Sequence, residues 1–307
     1  MKPIDLGALL LMGALWGGSY LFIRIGVPEL GPLTLMGGRV ALAALILWVG
    51  LRFAGKRAVL RPHVRPLLVI GLSNAALPFS LIAWAELRLG ASLAAILGAT
   101  VPLFGAILSA IWLGERFTAL RASGLSLGLL GVIVLTGWSP VPLDAPTLLA
   151  IAATLAASFS YAASGVYVRR AFKGIPATTL ALGQQLGAVA WLAIPALLFL
   201  PDAPPSSTAL GAMGALAALS TALAFVLFFR MIERIGPTRT QTVTYITPAF
   251  GMLWGSVFLH EPITRGMLGG FGLVLAGMLL VNGTALTMGS VRSLALRLGR
   301  KSQAMVG

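Results

Sequence analysis

The feature that most constrains this chain is a series of apolar segments, each long enough to cross a membrane as a helix. About 20 residues of helix span the hydrocarbon core of a bilayer. Ten segments of about that length lie near residues 4–24, 32–51, 66–85, 91–113, 119–138, 146–168, 176–200, 208–231, 237–258 and 264–286. They leave no connection long enough for a water-soluble domain, and only 10% of the 307 residues are charged, against about 25% in soluble proteins. We therefore predict an all-α membrane protein with ten transmembrane helices embedded in a lipid bilayer.

The distribution of the basic residues predicts the orientation of these helices. The formal net charge of +14 could suggest a nucleic-acid partner, but the charges lie in short clusters between apolar segments, which is typical of loops on one face of a membrane. With the N-terminus inside the cell, 18 of the 22 basic residues face the cytoplasm, and the outer loops contain only Arg24, Arg88 and Arg265. The sequence thus predicts a multi-pass membrane protein with both termini in the cytoplasm and no nucleic-acid partner.

One stretch of the sequence occurs twice. PLFGAILSAIWLGERFT at 102–118 and PAFGMLWGSVFLHEPIT at 248–264 share Pro, Phe, Gly, Leu, Glu and Thr at a constant offset of 146 residues, which indicates an internal repeat. Five predicted helices separate the two copies. Because five is odd, the copies cross the membrane in opposite directions, and Glu115 and Glu261 are expected at opposite faces. We predict two inverted five-helix repeats around a central cavity, an arrangement common in alternating-access transporters. The repeats span 1–140 and 141–290, followed by a basic cytoplasmic tail, 291–307.

The repeated residues also resemble a known family. The first half contains LLLMGALWGGSYLFIR, in which Trp16 and Gly17 are followed by Arg24, and both halves contain a Pro-x-Phe…Leu-x-Glu…Gly…Gly pattern. In these features the chain resembles the ten-helix branch of the drug/metabolite transporter superfamily, the bacterial EamA-type permeases. The second half departs from the pattern, with Tyr161 in the place of Trp16 and His-Glu-Pro in the place of Gly-Glu-Arg. The resemblance implies a protein of the cell inner membrane that exports amino acids or other small metabolites through a central cavity between the halves.

Several residue types that other functions need are missing or misplaced. The chain has no cysteine, and its two histidines, His63 and His260, lie between apolar segments, so no metal site and no cofactor is expected. GLSLG at 124–128 fits the G-x-S-x-G pattern of hydrolases, but that motif needs a strand–turn–helix, whereas here a helix-packing face is expected. An intramembrane enzyme would need a nucleophile–base pair, and a channel would need rings of like charge. The sequence contains neither, so we predict that the protein is not an enzyme.

Arg39 is the one charged residue clearly inside a predicted span, about 10 Å from its outer end. A buried charge in a membrane is a candidate for function, and two interpretations are open. The side chain could extend outward to the interface or bind carbonyls in a structural role, or it could attract a substrate carboxylate. The repeat partner of Arg39 is Gln185, beside Gln184. One cation is too few for a phosphate-rich substrate, so a neutral or zwitterionic metabolite fits better.

Other polar and aromatic residues within the spans are candidates for lining the cavity. In the ninth span a polar stripe at helical spacing contains Thr238, Gln241, Thr242, Tyr245 and Pro248, and it either bonds neighbouring helices or faces the cavity. The full predicted substrate-binding set is Trp16, Ser19, Tyr20, Arg39, Asn74, Pro78, Phe79, Tyr161, Gln184, Gln185, Thr221, Gln241, Tyr245 and Trp254. Pro102 and Pro248 lie at equivalent positions of the two repeats and are predicted as hinges.

The acidic residues bear on how transport is driven. All eight fall in loops or at the ends of predicted helices, whereas an exchanger of protons for cationic drugs is expected to hold a carboxylate within the membrane. We therefore expect efflux of small zwitterionic metabolites, amino acids first and aromatic ones among them, down their gradient by alternating access. A proton-coupled exporter of drugs or other metabolites is the alternative. A monomer is the expected working unit.

Overall fold

The computed structural model describes residues 2–137, 142, 144–172 and 174–281, and all regular secondary structure in this part of the chain is helical. The predicted tail at 291–307 and the predicted boundary between the repeats at 140/141 lie outside the described residues. Ten helices follow one another: α1 (3–30), α2 (32–53), α3 (Arg61–Ala85), α4 (Ala91–Leu113), α5 (Ala119–Gly137), α6 (Ala145–Ala171), α7 (Ala177–Leu198), α8 (Ser207–Ile235), α9 (237–259) and α10 (Arg265–Val281).

Helices α1 and α2 form a single helical run, Pro3–Phe53, that is interrupted at Gly31. The backbone of Gly31 has φ 70° and ψ 161°, a conformation that side chains other than hydrogen rarely allow. A straight helix of 51 residues would be about 76 Å long, well over twice the hydrocarbon thickness of a bilayer. The side chain of Leu35 lies against Gly26, so the chain reverses at Gly31 and the run crosses the membrane twice.

Contacts between helix ends divide the molecule into two faces. One face, which we call the outer end after its predicted orientation, carries contacts between Arg24 and Glu86, between Glu29 and Ser206, and between Glu261 and the start of α4. The opposite face, the inner end, carries the ion pairs Asp5–Arg234 and Glu115–Arg169. Each helix runs from one face to the other, so neighbouring helices alternate in direction. Glu115 and Glu261 therefore lie at opposite faces, as the inverted repeat predicts.

Glycines bring α5 and α10 into backbone contact. A Cβ atom at Gly124 would lie 2.7 Å from the carbonyl oxygen of Gly277, and one at Gly131 would lie 2.8 Å from that of Gly270. Such distances leave room only for hydrogen. The GLSLG segment, which begins at Gly124, is thus a helix-packing face, as predicted.

The two halves interlock across most of the membrane depth. One apolar cluster joins α1, α2 and α3 of the first half to α6, α7 and α8 of the second, and another joins α4 and α5 to α6, α9 and α10. Because lipid tails are as apolar as these side chains, close packing and hydrogen bonds between helices are what hold such an interface together. The polar residues where α2, α3, α7 and α8 meet therefore lie between the halves.

Candidate functional site

Arg39 lies at the interface of the two halves, in a group that we call the central cluster: Arg39, Phe79, Tyr161 and Thr221. The Arg39 side chain on α2 is 5% exposed, and its Nε donates a hydrogen bond of 3.0 Å to Oγ1 of Thr221 on α8. The guanidinium carbon lies 3.7 Å from the ring centre of Phe79 on α3, a cation–π distance. The Phe79 ring lies 6.3 Å from that of Tyr161 on α6. Four helices from both halves thus surround one positive charge.

This geometry separates the two interpretations of Arg39. The guanidinium is directed across the half interface toward α8, not outward along α2, so it does not extend to the membrane surface. Nη1 of Arg39 also lies 3.9 Å from the sulfur of Met36, and no carboxylate of the described residues lies within 4.0 Å of the guanidinium. A guanidinium has five N–H donors, so several remain for an anionic group placed beside the cluster.

A second polar pair joins the halves on the repeat-related helices, α3 and α7. Nδ2 of Asn74 on α3 donates a hydrogen bond of 2.8 Å to Oε1 of Gln184 on α7. The neighbouring Gln185, which the repeat pairs with Arg39, is fully buried, and neither its Nε2 nor its Oε1 has a hydrogen-bond partner among the described residues. Buried amides without partners are rare in proteins. The 146-residue offset exchanges the two helix pairs, α2 with α8 and α7 with α3, but not the bonded residues, because it relates Asn74 to Ser220 and Gln184 to Gly38.

Both pairs involve a π-helical segment, which the sequence analysis did not predict. Helix α3 widens at Leu72–Ala76 and α8 widens at Leu216–Leu223, positions that the 146-residue offset brings together. In α3 the Ser73 carbonyl would need the N–H that Pro78 lacks to continue the π-helical pattern, and it accepts instead from the Ser160 hydroxyl on α6 at 2.7 Å. In α8 the Thr221 hydroxyl donates to the Leu216 carbonyl at 2.8 Å. Such segments often occur at functional sites.

Tyr20 on α1 lies next to the central cluster. Its hydroxyl covers Gly98 of α4 and leaves no room there for a side chain. Arg39 interacts electrostatically with Tyr20, with Tyr161 and with Glu86. The residues predicted from the sequence that the structure places in or beside this region are Tyr20, Arg39, Asn74, Pro78, Phe79, Tyr161, Gln184, Gln185 and Thr221.

The remaining predicted site residues lie elsewhere. Trp16 packs against Phe225 and Phe228 of α8, and Nε1 of Trp254 donates to the Ala14 carbonyl at 3.0 Å. Tyr245 contacts the apolar cluster around α4, α5 and α10, Gln241 is exposed at the inner end, and Ser19 is buried on α1. The side chain of Thr238 lies outside the described residues. The structure does not bring these side chains to Arg39, so a role for them in binding stays a prediction.

The two predicted hinge prolines differ in their surroundings. Helix α4 is divided by a turn at Ala99 and Thr100, and Pro102 is the second residue of its second part, Val101–Leu113. Pro248 instead lies within the continuous stretch Val243–Leu259, and the turn in α9 comes earlier, at 241–242. Only the first of the equivalent positions therefore coincides with a break in its helix.

The outer end is closed by two contacts, which we call the outer gate. The Glu261 carboxylate accepts hydrogen bonds from the backbone N–H groups of Ala91, at 2.7 Å, and Ser92, at 2.9 Å. These are the first residues of α4, where unpaired N–H groups and the helix dipole favour a negative charge. Nη1 of Arg24 donates to the backbone carbonyl of Glu86 at the end of α3. Residues 91–97 are all buried beneath these contacts.

The inner end lacks the equivalent contacts within the described residues. Glu115, the counterpart of Glu261, forms ion pairs with Arg121 at 3.1 Å and with Arg169 at 3.4 Å. Arg170, the counterpart of Arg24, donates to the Trp112 carbonyl. Near the start of α9, the counterpart of the buried start of α4, Arg239 is exposed. The two outer contacts therefore have no repeat-related equivalent at the inner end within the described residues.

One acidic residue has surroundings that the sequence did not reveal. Glu86 lies at the end of α3, as the sequence predicts, but its exposure is 0%. Neither of its carboxylate oxygens has a hydrogen-bond partner in the part of the chain that the structure describes. The sequence could not reveal this burial, because the residues that cover Glu86 come from helices distant in the chain. Met36 and Ser160 were also missed, and neither residue type is a strong signal by itself.

Comparisons with known proteins agree with this architecture. The model of the EamA-like transporter family matches residues 4–137 and 148–283. An uncharacterized inner membrane transporter, YedA, of Escherichia coli strain K12 is 28% identical over 90% of this chain and 89% of its own length. A probable terminal-alkyne amino-acid exporter of Streptantibioticus cattleyicolor is 28% identical over 90% of this chain and 92% of its own. An S-adenosylmethionine/S-adenosylhomocysteine transporter of Chlamydia trachomatis serovar L2 is 25% identical over 87% of this chain and 85% of its own length.

The fold also occurs in a solved structure. A crystal structure of a protein with 20% sequence identity superposes with a TM-score of 0.66, covering 94% of this chain and 99% of that one. At this level of identity the likeness concerns the fold alone.

Proposed function

Because the chain belongs to the EamA-like transporter family and is a multi-pass transporter of the inner membrane, we propose that it exports small zwitterionic metabolites, with amino acids as the leading class. Substrate binds beside the central cluster, between the repeats 1–140 and 141–290, and both termini face the cytoplasm. A monomer carries the whole pathway. The central observation is Arg39, a positive charge buried between the halves without a carboxylate partner among the described residues.

The chemistry of the site supports a zwitterion. A substrate carboxylate can accept hydrogen bonds from the free N–H donors of Arg39, and a charged pair of this kind is strong in a region from which water is excluded. The unpaired Oε1 of Gln185 offers an acceptor for an ammonium group. The rings of Phe79 and Tyr161 offer an apolar face for a side chain, aromatic ones included. One relative is named as a probable amino-acid exporter, which supports the same class.

Alternating access is supported by the unequal ends of a symmetric molecule. The outer gate is formed by Glu261 and Arg24, whereas their counterparts Glu115 and Arg170 make other contacts at the inner end. Two repeats with the same fold can each adopt the conformation of the other, so that the contacts now at the outer end form at the inner end instead. In the opposite state the inner end closes through the second repeat and the outer gate opens. The repeat counterpart of Ala91 is Pro237, which has no backbone N–H. Glu115 therefore cannot form at the inner end the hydrogen bond that Glu261 forms with Ala91 at the outer end.

Counterflow in proteoliposomes tests this proposal. Vesicles containing the purified chain are preloaded with one unlabelled amino acid, and uptake of the labelled compound is followed across a panel of neutral, acidic, basic and aromatic amino acids. We expect saturable counterflow that persists when only the membrane potential is changed. Ionic conductance in planar bilayers would instead indicate a channel, and chemical conversion of the compound would indicate an enzyme.

A further inference from the structure

Glu86 is a buried acid that the proposed binding site does not use. It lies at the outer end, one residue beyond α3, and its side chain has no exposed surface. Its backbone carbonyl accepts a hydrogen bond from Arg24, but both oxygens of its carboxyl group lack a partner among the described residues. Glu86 is therefore part of the outer gate through its backbone, while its side chain is enclosed by the closed gate.

None of the charges around Glu86 in the described part of the chain pairs directly with its carboxyl group. Arg24 from α1 and Arg39 from α2 act on it from two sides, Glu261 from the α9–α10 connection adds a second negative charge, and the Tyr20 hydroxyl is also within electrostatic range. No basic nitrogen of the described residues comes within 4.0 Å of the Glu86 carboxyl oxygens. Burial raises the pKa of Glu86 well above its usual range, and the partly opposing effect of Arg24 is smaller. An enclosed carboxyl group without partners is more stable when it is neutral.

We propose that Glu86 is a proton-binding site of the outer gate, and that the gate closes over Glu86 when its carboxylate has taken up one proton from the outside solution. The step forms one O–H bond on the carboxylate and releases a water molecule from the hydronium ion that supplies the proton. When the gate opens, Glu86 meets water and returns the proton. This inference rests on the alternating access of the proposed function, and it makes the closed state dependent on external pH.

The direction of the pH effect follows from the two states. Glu86 binds a proton more tightly in the closed state than in the open one, so the closed state is favoured at low pH. This preference is lost as the pH rises through the raised pKa of the closed state. For one proton the ratio of closed to open molecules changes by up to about tenfold per pH unit.

Cysteine labelling measures this ratio directly, because the chain has no cysteine of its own. Ser92, buried beneath the outer gate, is replaced by cysteine in the full chain in proteoliposomes, and an impermeant maleimide is added outside. The labelling rate is divided by that of a second protein with cysteine at the exposed outer position 202, which cancels the pH dependence of the thiol itself. We expect this normalised rate to fall several-fold or more between about pH 8 and about pH 5.5.

Two substitutions make the result specific. Glu86→Gln resembles the protonated carboxyl, so its normalised rate should be low and equal at both pH values, whereas Glu86→Asp keeps a titratable group and should keep the pH dependence. Asp202 is an exposed acid at the outer end, so Asp202→Asn in the Ser92→Cys protein is the matched control. For this control the reference cysteine is placed at the exposed position Ala203. An unchanged pH dependence in Glu86→Gln, or none in the parent protein, would overturn the proposal. Failure of amino-acid counterflow would contradict the proposed function alone, since labelling requires no substrate.

Discussion

Gly124 on α5 and Gly277 on α10 touch through their backbones, with space for no side chain between them. The 146-residue offset converts Gly124 into Gly270 and Gly277 into Gly131, and those two glycines also touch. A pair of contacts that exchanges under the repeat is what a two-fold axis between α5 and α10 requires. The sequence repeat therefore corresponds to an approximate two-fold symmetry of the structure. The two ends of the molecule can be compared residue by residue through this symmetry.

The contact between α5 and α10 predicts that a glycine-to-alanine substitution in α10 destabilises the protein only where the glycine faces α5. A Cβ at Gly277 would lie 2.7 Å from the backbone nitrogen of Gly128, so Gly277→Ala forces α5 and α10 apart and should lower the free energy of unfolding by about 1–3 kcal/mol. Gly272→Ala, on the same helix with open space around its Cβ, is the control and should be neutral or slightly stabilising. Thermal unfolding of both proteins in the same detergent compares them. Equal unfolding temperatures would contradict the close contact.

Removal of the charge of Arg39 should weaken binding of carboxylate-bearing substrates. Arg39→Gln removes the guanidinium from the central cluster, and we expect at least about a tenfold rise in the half-saturation concentration, equivalent to about 1.4 kcal/mol. An amine that lacks the carboxylate should bind equally to both proteins. Arg265→Gln, an exposed arginine at the outer end, is the matched control. Unchanged affinity for the carboxylate in a well-folded Arg39→Gln protein would refute the binding role.

The outer gate should open more readily without the Glu261 carboxylate. Loss of a side chain that caps a helix N-terminus costs about 0.5–2 kcal/mol, so Glu261→Ala should raise external labelling of a cysteine at position 92 by roughly twofold to thirtyfold. Glu115→Ala removes the repeat-related carboxylate, which pairs with Arg121 and Arg169 at the inner end. It should leave external labelling unchanged or reduced. Equal increases in both variants would show that Glu261 has no special part in closing the outer end.

Inverted topology predicts that the residues next to Glu115 and Glu261 are accessible from opposite sides of the membrane. Arg116 and Pro262 are exposed and follow Glu115 and Glu261 in the sequence. Cysteine at 262 should react with an impermeant maleimide added to intact cells, and cysteine at 116 only after the membrane is made permeable. Reaction of both from the same side would exclude two inverted repeats and with them the alternating-access mechanism.

Much of the architecture could be predicted because it depends on local chemistry. Segment length, the absence of charge and the positions of Gly and Pro are readable residue by residue, and they predicted ten helices and the repeat. The composition of the central cluster was also partly accessible, since a charge inside a span is rare wherever it occurs. The sequence did not predict which polar residues meet: Arg39 and Thr221 are 182 positions apart, and Trp16 and Trp254 looked equally suitable from residue type alone.

The sequence by itself determined that this chain spans a membrane and that its halves are inverted copies, because hydropathy and an odd helix count need no knowledge of packing. Only the tertiary structure decided which copy closes its end of the molecule and which acid is thereby enclosed. Ala91 and Glu261 can form a gate, and Glu86 can lose all contact with water, only through contacts between helices far apart in the chain. Such contacts differ between two conformations of one sequence, so no pattern of residues can specify them alone.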